Sequence, residues 1–285
     1  MTVTKKANAK INLSLDLTSV LPNGYHAIRT VMQSVTLCDT LTVSEAAPGI
    51  LLQCDAPGVP TDARNTAFLA AKYYYEAIGA APAIKIEIEK RIPSQAGLGG
   101  GSADAAAVLD ILNELHGMPL NTQELLYIAL KIGADVPFAL LGGTRYCLNI
   151  GELTAALPHV CAHVLIAKPE SGVSTAQAYR QFDRGAPLRH PDNDQLLYYF
   201  AKREPMAALM YANNVFEQLL TIPEGDAIKR AMTENGAYYT SLSGSGSAYF
   251  GLFDSAEAAE RAKEAVKTLV PFAVCCETAR EGISD

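Results

Sequence analysis

The chain has 285 residues, 49% of them hydrophobic and 19% charged, a composition of folded globular proteins rather than of collagen-like or disordered chains. Its formal net charge of −7 argues against a nucleic-acid partner, which a basic surface would serve. No run of 18 apolar residues occurs and no basic stretch precedes an apolar one at the start, so neither a membrane span nor a signal peptide is expected and the chain reads as soluble and cytoplasmic.

The first element is a strand over 9–18. Ala9, Ile11, Leu13, Leu15 and Leu17 alternate with Lys10, Asn12, Ser14, Asp16 and Thr18, which predicts one apolar and one polar face, with Lys10 and Asn12 sharing the latter. Leu21-Pro22-Asn23-Gly24 predicts a turn, and strand-like stretches follow over 28–37 and 40–45. Residues 48–63 are loop-rich around one short strand. Ala67, Ala70, Ala71, Tyr74 and Ile78 share one face of a helix over 66–78. Ile84, Ile86 and Ile88 alternate with charged residues, a half-exposed strand. A glycine run leads into a helix over about 103–115, and another helix spans 122–132, with Ala134-Asp135-Val136-Pro137 lying between helical segments.

A second region begins near residue 160 with an apolar strand over 163–167. Helices are expected over 174–182, 193–201, 205–211, 213–220 and 226–235, the last ended by Gly236. Ser241 to Ser247 is a second glycine-serine loop, followed by a strand over 249–253, a helix over 256–269 and a strand over 272–276. This order predicts an α+β protein with partly antiparallel sheets. No internal repeat is present. None of the six cysteines forms a C-x-x-C pair, so they read as small buried hydrophobes.

Four glycines in the five positions 97–101 cost chain entropy unless the backbone must approach something closely. A helix follows directly, and its first amides lack partners and carry partial positive charge, which suits an anion. A phosphate cradle and a tight strand–helix connection both fit the glycines alone. A Walker A loop would end in Gly-Lys-Ser/Thr, which is missing, and a Rossmann strand would be apolar on both faces, whereas 84–89 alternates.

The segment Lys90-Arg91-Ile92-Pro93-Ser94-Gln95-Ala96-Gly97-Leu98-Gly99-Gly100-Gly101-Ser102-Ala103-Asp104-Ala105-Ala106 resembles the ATP-binding motif of the GHMP kinases, which include galactokinase, homoserine kinase and mevalonate kinase. Ser241-Leu242-Ser243-Gly244-Ser245-Gly246-Ser247-Ala248 resembles their third motif. Ala9-Lys10-Ile11-Asn12-Leu13 with Pro22-Asn23-Gly24-Tyr25-His26 and Gln33, and Gly133-Ala134-Asp135-Val136-Pro137-Phe138, are similar to segments of the diphosphocytidyl-methylerythritol kinases within that superfamily. The resemblance implies an S5-like N-terminal ATP-binding domain over 1–158 and a ferredoxin-like C-terminal domain over 159–285, with a cleft site. It also implies ATP-dependent phosphorylation of the 2-hydroxyl of a cytidine diphosphate-linked methylerythritol, with Mg2+ accompanying ATP. Departures are Gln95 and Ala96, where smaller residues are usual, and Asn213-Asn214-Val215-Phe216-Glu217, a looser form of the family's Asn-Asp-x-Glu segment.

Roles follow residue by residue. Asp135 is equally a helix N-cap or a functional carboxylate on local sequence; the resemblance implies a catalytic base or orienting group. Lys10, otherwise a surface lysine, is implied beside it, where a cation keeps the carboxylate ionised and neutralises the transferring group. Asn12 shares its face. Tyr25 and His26 are implied as a cytosine clamp, and Ile150, Thr175 and Tyr179 as further substrate-lining residues. Asn65 and Lys90 are implied on the adenosine side, with Asn65 otherwise a helix cap; the motif residues Pro93 to Ala103 and Gly244 are implied at the phosphates. Ser102 is the one candidate metal ligand. Two alternatives remain: a GHMP kinase for another alcohol, such as homoserine or mevalonate, against which Tyr25 and His26 speak, and a non-catalytic relative, against which Lys10 and Asp135 speak. Oligomeric state is not legible.

Overall fold

The computed structural model describes residues 1–22, 24–171, 175–185 and 187–285, with side chains at 175–177 outside that description. The expected turn residue Asn23, Ser174 and the side chain of Thr175 therefore lie outside the described residues. Two sheets form the frame. The first starts with two long antiparallel strands, β1 (Thr2–Val20) and β2 (His26–Glu45). The sequence reading breaks β2 near Cys38, but the strand is continuous. It bends through an irregularity opposite Asn8 and Ala9, which pair with Cys38 and Val35. Its two ends therefore reach different partners: 40–45 pairs with β4 (Ala83–Glu89), and 28–33 with β5 (Thr144–Asn149). Strand β3 (Gly49–Cys54) lies parallel to β4, and helix α1 (Thr66–Ile78) crosses between them. Strand β6 (Leu153–Ala156) extends β5. Strands β5 and β6 escape the sequence reading because their residues do not alternate, only Thr144 and Cys147 of β5 being fully buried.

The expected alternation of β1 holds only as far as Leu13. Asn12 pairs with Met32 and Ser14 with Val31, so Leu13 is an extra residue in the ladder, a β-bulge. A one-residue shift exchanges the faces of every side chain beyond it. Ala9, Ile11 and Leu13 join the main core, whereas Leu15 and Leu17 turn to the side of Lys10 and Asn12 and join a second core.

Helices α2 (Gly100–Leu115), α3 (Thr122–Ile132) and α4 (Val136–Leu141) pack with α1 behind the first sheet. Helix α2 is buried over most of its length, and Ala103, Ala105, Ala106 and Ala107 let it lie close to β1. The second sheet has the order β10-β7-β9-β8, from β7 (His163–Lys168), β8 (Tyr239–Leu242), β9 (Tyr249–Phe253) and β10 (Phe272–Glu277). All its neighbours are antiparallel, the arrangement of a ferredoxin-like sheet. Val164, Ile166, Phe250 and Leu252 point into the main core, Leu165, Ala167, Tyr249 and Phe253 into the second.

Between β7 and β8 run α5 (Thr175–Asp183), α6 (Asn193–Ala201), α7 (Pro205–Leu209), α8 (Phe216–Leu219) and α9 (Gly225–Glu234), and α10 (Ala256–Val266) joins β9 to β10. The last strand, β11 (Ile283–Ser284), returns to pair with β1. The six cysteines are free; Cys147 is buried as expected, but Cys161 is exposed and the rest are half-buried. No helix among the described residues is long and apolar enough to cross a membrane.

Candidate active site

Lys10 is only 7% exposed, and a buried ammonium needs partners. It has two: its Nζ donates to Asn12 Oδ1 at 2.6 Å and lies 3.6 Å from Asp135 Oδ2. Asn12 is fixed in turn, donating through Nδ2 to Thr30 Oγ1 at 2.8 Å, while that hydroxyl donates to the Ser14 carbonyl. Asp135 occupies the N-cap position of α4, yet its side chain accepts no cap hydrogen bond. The carboxylate that local sequence left between cap and function faces Lys10 instead. Its charge is felt nearby. Burial pushes the Cys147 thiol up to about 12 and raises the Tyr179 phenol, and in both the negative charge of Asp135 adds to the effect.

The glycine run wraps around this pair. Lys10 N donates to the Leu98 carbonyl at 3.0 Å, which fastens the run to β1. Gly99 is the N-cap of α2 with φ +70°, and a Cβ there would lie 2.9 Å from Lys10 Cγ. A Cβ on Gly97 would lie 2.0 Å from the Ser243 carbonyl oxygen, so this glycine is required by contact with the second glycine-serine loop. Gln95 holds φ +53°, a left-handed conformation that favours glycine. The departure noted in the sequence thus sits at a strained backbone position.

Two cavities meet at the run and share Gly97, Gly99 and Ser102. The larger, about 770 Å3, holds Lys10, Asn12, Asp135 and Gly244 on one side, and Tyr25, His26, Ile150 and Tyr179 on the other. The smaller, about 310 Å3, is lined by residues 92–102, together with Thr66 and Lys90. His26 is stacked on Tyr179 with centroids 4.4 Å apart and meets the edge of Phe182, while its Nε2 is 2.6 Å from Asp183 Oδ1. Tyr25 stands 62% exposed at the mouth. Leu15, Ile28, Met32, Arg180 and Phe216 also line the larger cavity and escaped the sequence reading. The signal for Leu15 was the β1 bulge, which alternation alone does not reveal.

Two residues expected on the adenosine side have other tasks. Asn65 caps α1, accepting from Ala67 N at 2.9 Å and donating to the Pro60 carbonyl at 2.7 Å, and it lines neither cavity. Lys90 lines the smaller cavity, but its ammonium is committed to Asp39 and, at 2.7 Å, to Asp104. Ala103 is buried within α2 and also lies outside both linings.

The fold and this site define a small-molecule kinase class. The sequence model of the GHMP kinases N terminal domain matches residues 65–143, and that of the GHMP kinases C terminal domain matches 197–271. The chain is similar to the 4-diphosphocytidyl-2-C-methyl-D-erythritol kinase of Clostridium botulinum strain Eklund 17B, 39% identical over 268 residues, covering 92% of this chain and 95% of that protein. A crystal structure of 4-(cytidine 5'-diphospho)-2C-methyl-D-erythritol kinase superposes with a TM-score of 0.79 at 32% identity, over 97% of this chain and 99% of that one. The homoserine kinase of Cytophaga hutchinsonii, at TM-score 0.77, 22% identity and coverage of 99% of this chain and 96% of that one, shares the fold. The chain belongs to the 4-diphosphocytidyl-2-C-methyl-D-erythritol kinase family of the GHMP kinases.

Proposed function

We propose that this protein transfers the terminal phosphoryl group of ATP to the 2-hydroxyl of 4-diphosphocytidyl-2-C-methyl-D-erythritol, a step of the non-mevalonate isoprenoid pathway. The observation that carries the reading is the Lys10–Asp135 pair, 3.6 Å apart, in the wall of the larger cavity, with Lys10 packed against Gly99, which lines both cavities. The smaller cavity suits a nucleotide: Gly97, Gly99, Gly100 and Gly101 line it without side chains, and it lies at the N-terminus of α2, whose first amides suit an anion. The larger cavity suits an acceptor with a flat base, because Tyr25, His26 and Tyr179 supply aromatic faces for stacking.

Phosphoryl transfer depends mainly on positioning and charge neutralisation. Asp135 orients the acceptor hydroxyl and takes its proton. Lys10 holds the Asp135 side chain at 3.6 Å and faces the negative charge of the moving group. Asn12, held by Thr30, fixes the lysine. The glycine cradle fits triphosphate oxygens, and Ser102, whose residue lines both cavities at the first turn of α2, is the residue we assign to the Mg2+ that accompanies ATP. We place the division between the domains at 158/159, ahead of β7.

The test is a panel scored by ADP release, with the cytidine substrate, homoserine and mevalonate offered in turn. Release is expected with the cytidine substrate alone. Release with homoserine or mevalonate in preference to it would overturn the assignment.

A further inference from the structure

Residues 213–217 lie between the catalytic strand and the second glycine loop. Their backbone joins β1 just beyond Asn12: Leu15 N donates to the Asn213 carbonyl at 2.8 Å, and Val215 N to the Leu15 carbonyl at 3.0 Å. Their side chains reach the other way. Asn214, fully buried, donates through Nδ2 to the carbonyls of Leu242 at 2.8 Å and Gly244 at 2.9 Å, while its Oδ1 accepts from Phe216 N at 3.0 Å. Glu217 Oε1 accepts from Ser241 Oγ at 2.8 Å and Leu242 N at 2.6 Å, and its other oxygen pairs with Lys229.

The loop held this way forms part of the site. Gly244 and Ser245 line the larger cavity, and a Cβ on Gly244 would lie 3.3 Å from Lys10 Nζ and 3.4 Å from Asn12 Oδ1. The loop is also stitched to the glycine run, Ser243 Oγ donating to the Gly97 carbonyl at 2.8 Å and Ala248 N to the Ala96 carbonyl at 3.1 Å. A segment with glycine at 244 and 246 has little preference for one shape of its own. Its buried carbonyls need partners, and Asn214 supplies them.

We infer that Asn214 and Glu217 are positioning residues: Asn214 holds the 243–247 loop directly and Glu217 holds the end of β8 from which it springs, so that together they set the loop against the 97–101 run and keep the phosphate side of the site in register with Lys10. This rests on the kinase reading above and adds a specific task for a segment that touches no reacting atom through these two side chains.

Three variants separate positioning from mere stability. Glu217→Ala removes Oε1, which accepts from both Ser241 Oγ and Leu242 N, together with the ion pair to Lys229. Glu217→Gln keeps Oε1 for Leu242 N and Ser241 Oγ but gives up the ion pair. Lys229→Ala removes the ion pair and leaves the loop contacts. Misplacement of groups by about 1 Å can cost as much as 100-fold, so Glu217→Ala is expected to weaken the Kd for a non-hydrolysable Mg-ATP analogue roughly tenfold and raise KM for ATP alike. Glu217→Gln and Lys229→Ala should bind nucleotide within about twofold of the parent.

A nucleotide Kd unchanged in Glu217→Ala overturns the inference, as does a loss in Glu217→Gln equal to that in Glu217→Ala. Asn214→Ala, read the same way, decides the matter where Glu217→Ala does not fold. Nucleotide binding is measured without acceptor. A parent protein that binds the analogue but phosphorylates nothing would therefore refute the kinase reading while the loop inference still stands or falls on Kd.

Discussion

Asp135→Asn is expected to lower kcat by roughly 10²–10⁴-fold and to leave nucleotide affinity within about threefold. The exchange preserves shape and removes a charge, so its effect isolates the carboxylate. Asp135 accepts no hydrogen bond from its own helix, and removing its charge takes no cap away. Its neighbour at 3.6 Å is Lys10, whose other partner, Asn12, remains in place in the variant. The smaller cavity, proposed to hold the nucleotide, is lined by residues 92–102, none of which contacts Asp135 by hydrogen bond or ion pair among the described residues. Steady-state kinetics with separate nucleotide titration checks this. A variant with parental kcat would remove Asp135 from the chemistry, and one with lost nucleotide affinity would make it a binding residue instead.

Lys90→Met destabilises the fold by about 3–5 kcal/mol, because removing one partner strands buried opposite charge. The lysine sits between Asp39, which is fully buried, and Asp104, 3% exposed. Asp39 also accepts from the backbone N–H groups of Arg91 and Ile92, so the cluster ties β2, the exit from β4 and the start of α2 together. Burial pulls the Lys90 ammonium down, but the attraction of Asp104 and Asp39 outweighs it and leaves the group raised. Burial pushes the Asp104 carboxyl up to about 7 from 3.8, against the pull of Lys90.

Between those two values the folded chain keeps a proton at Asp104 that the unfolded chain has released, so this group's contribution is fully present below the lower value and is lost as pH rises towards 7. Without Lys90 the Asp104 carboxyl loses the attraction that opposes its burial and holds its proton more firmly still. The deficit of Lys90→Met measured by urea unfolding should therefore shrink as pH falls from about 8 to 5. Asp104→Asn leaves Lys90 and Asp39 as a one-to-one pair and should cost less than Lys90→Met. An equal or larger loss would contradict this account of the cluster.

Much of this was legible in the sequence because its signals are local. The alternation at 84–89, the helix pattern over 66–78 and the glycines at 97–101 depend on neighbours a few residues away; the first two elements stand where the sequence put them, while α2 begins at Gly100, inside the glycine run, rather than near Ala103. Less legible was whatever depends on register or long-range pairing. The bulge at Leu13 turns Leu15 into the larger cavity, and no pattern within residues 9–18 announces it. Lys90 looks like a free lysine at a strand end until Asp39, 51 positions away, is brought beneath it. Asn65 could be a cap or a ligand by sequence, and its distances to Ala67 and Pro60 show the cap. Lys10 and Asp135, separated by 125 residues, became a pair only through family resemblance, and the fold brings them to 3.6 Å.

The central claim is that the Lys10–Asp135 pair directs a phosphoryl group from ATP to one hydroxyl of a cytidine diphosphate-linked polyol. Phosphorus NMR of a mixture of protein, Mg-ATP and 4-diphosphocytidyl-2-C-methyl-D-erythritol tests it most directly. A new phosphomonoester resonance growing in step with ADP, with the diphosphate resonances of the substrate retained, is the predicted result. ADP accompanied only by inorganic phosphate, or a substrate diphosphate that is cleaved, would contradict it.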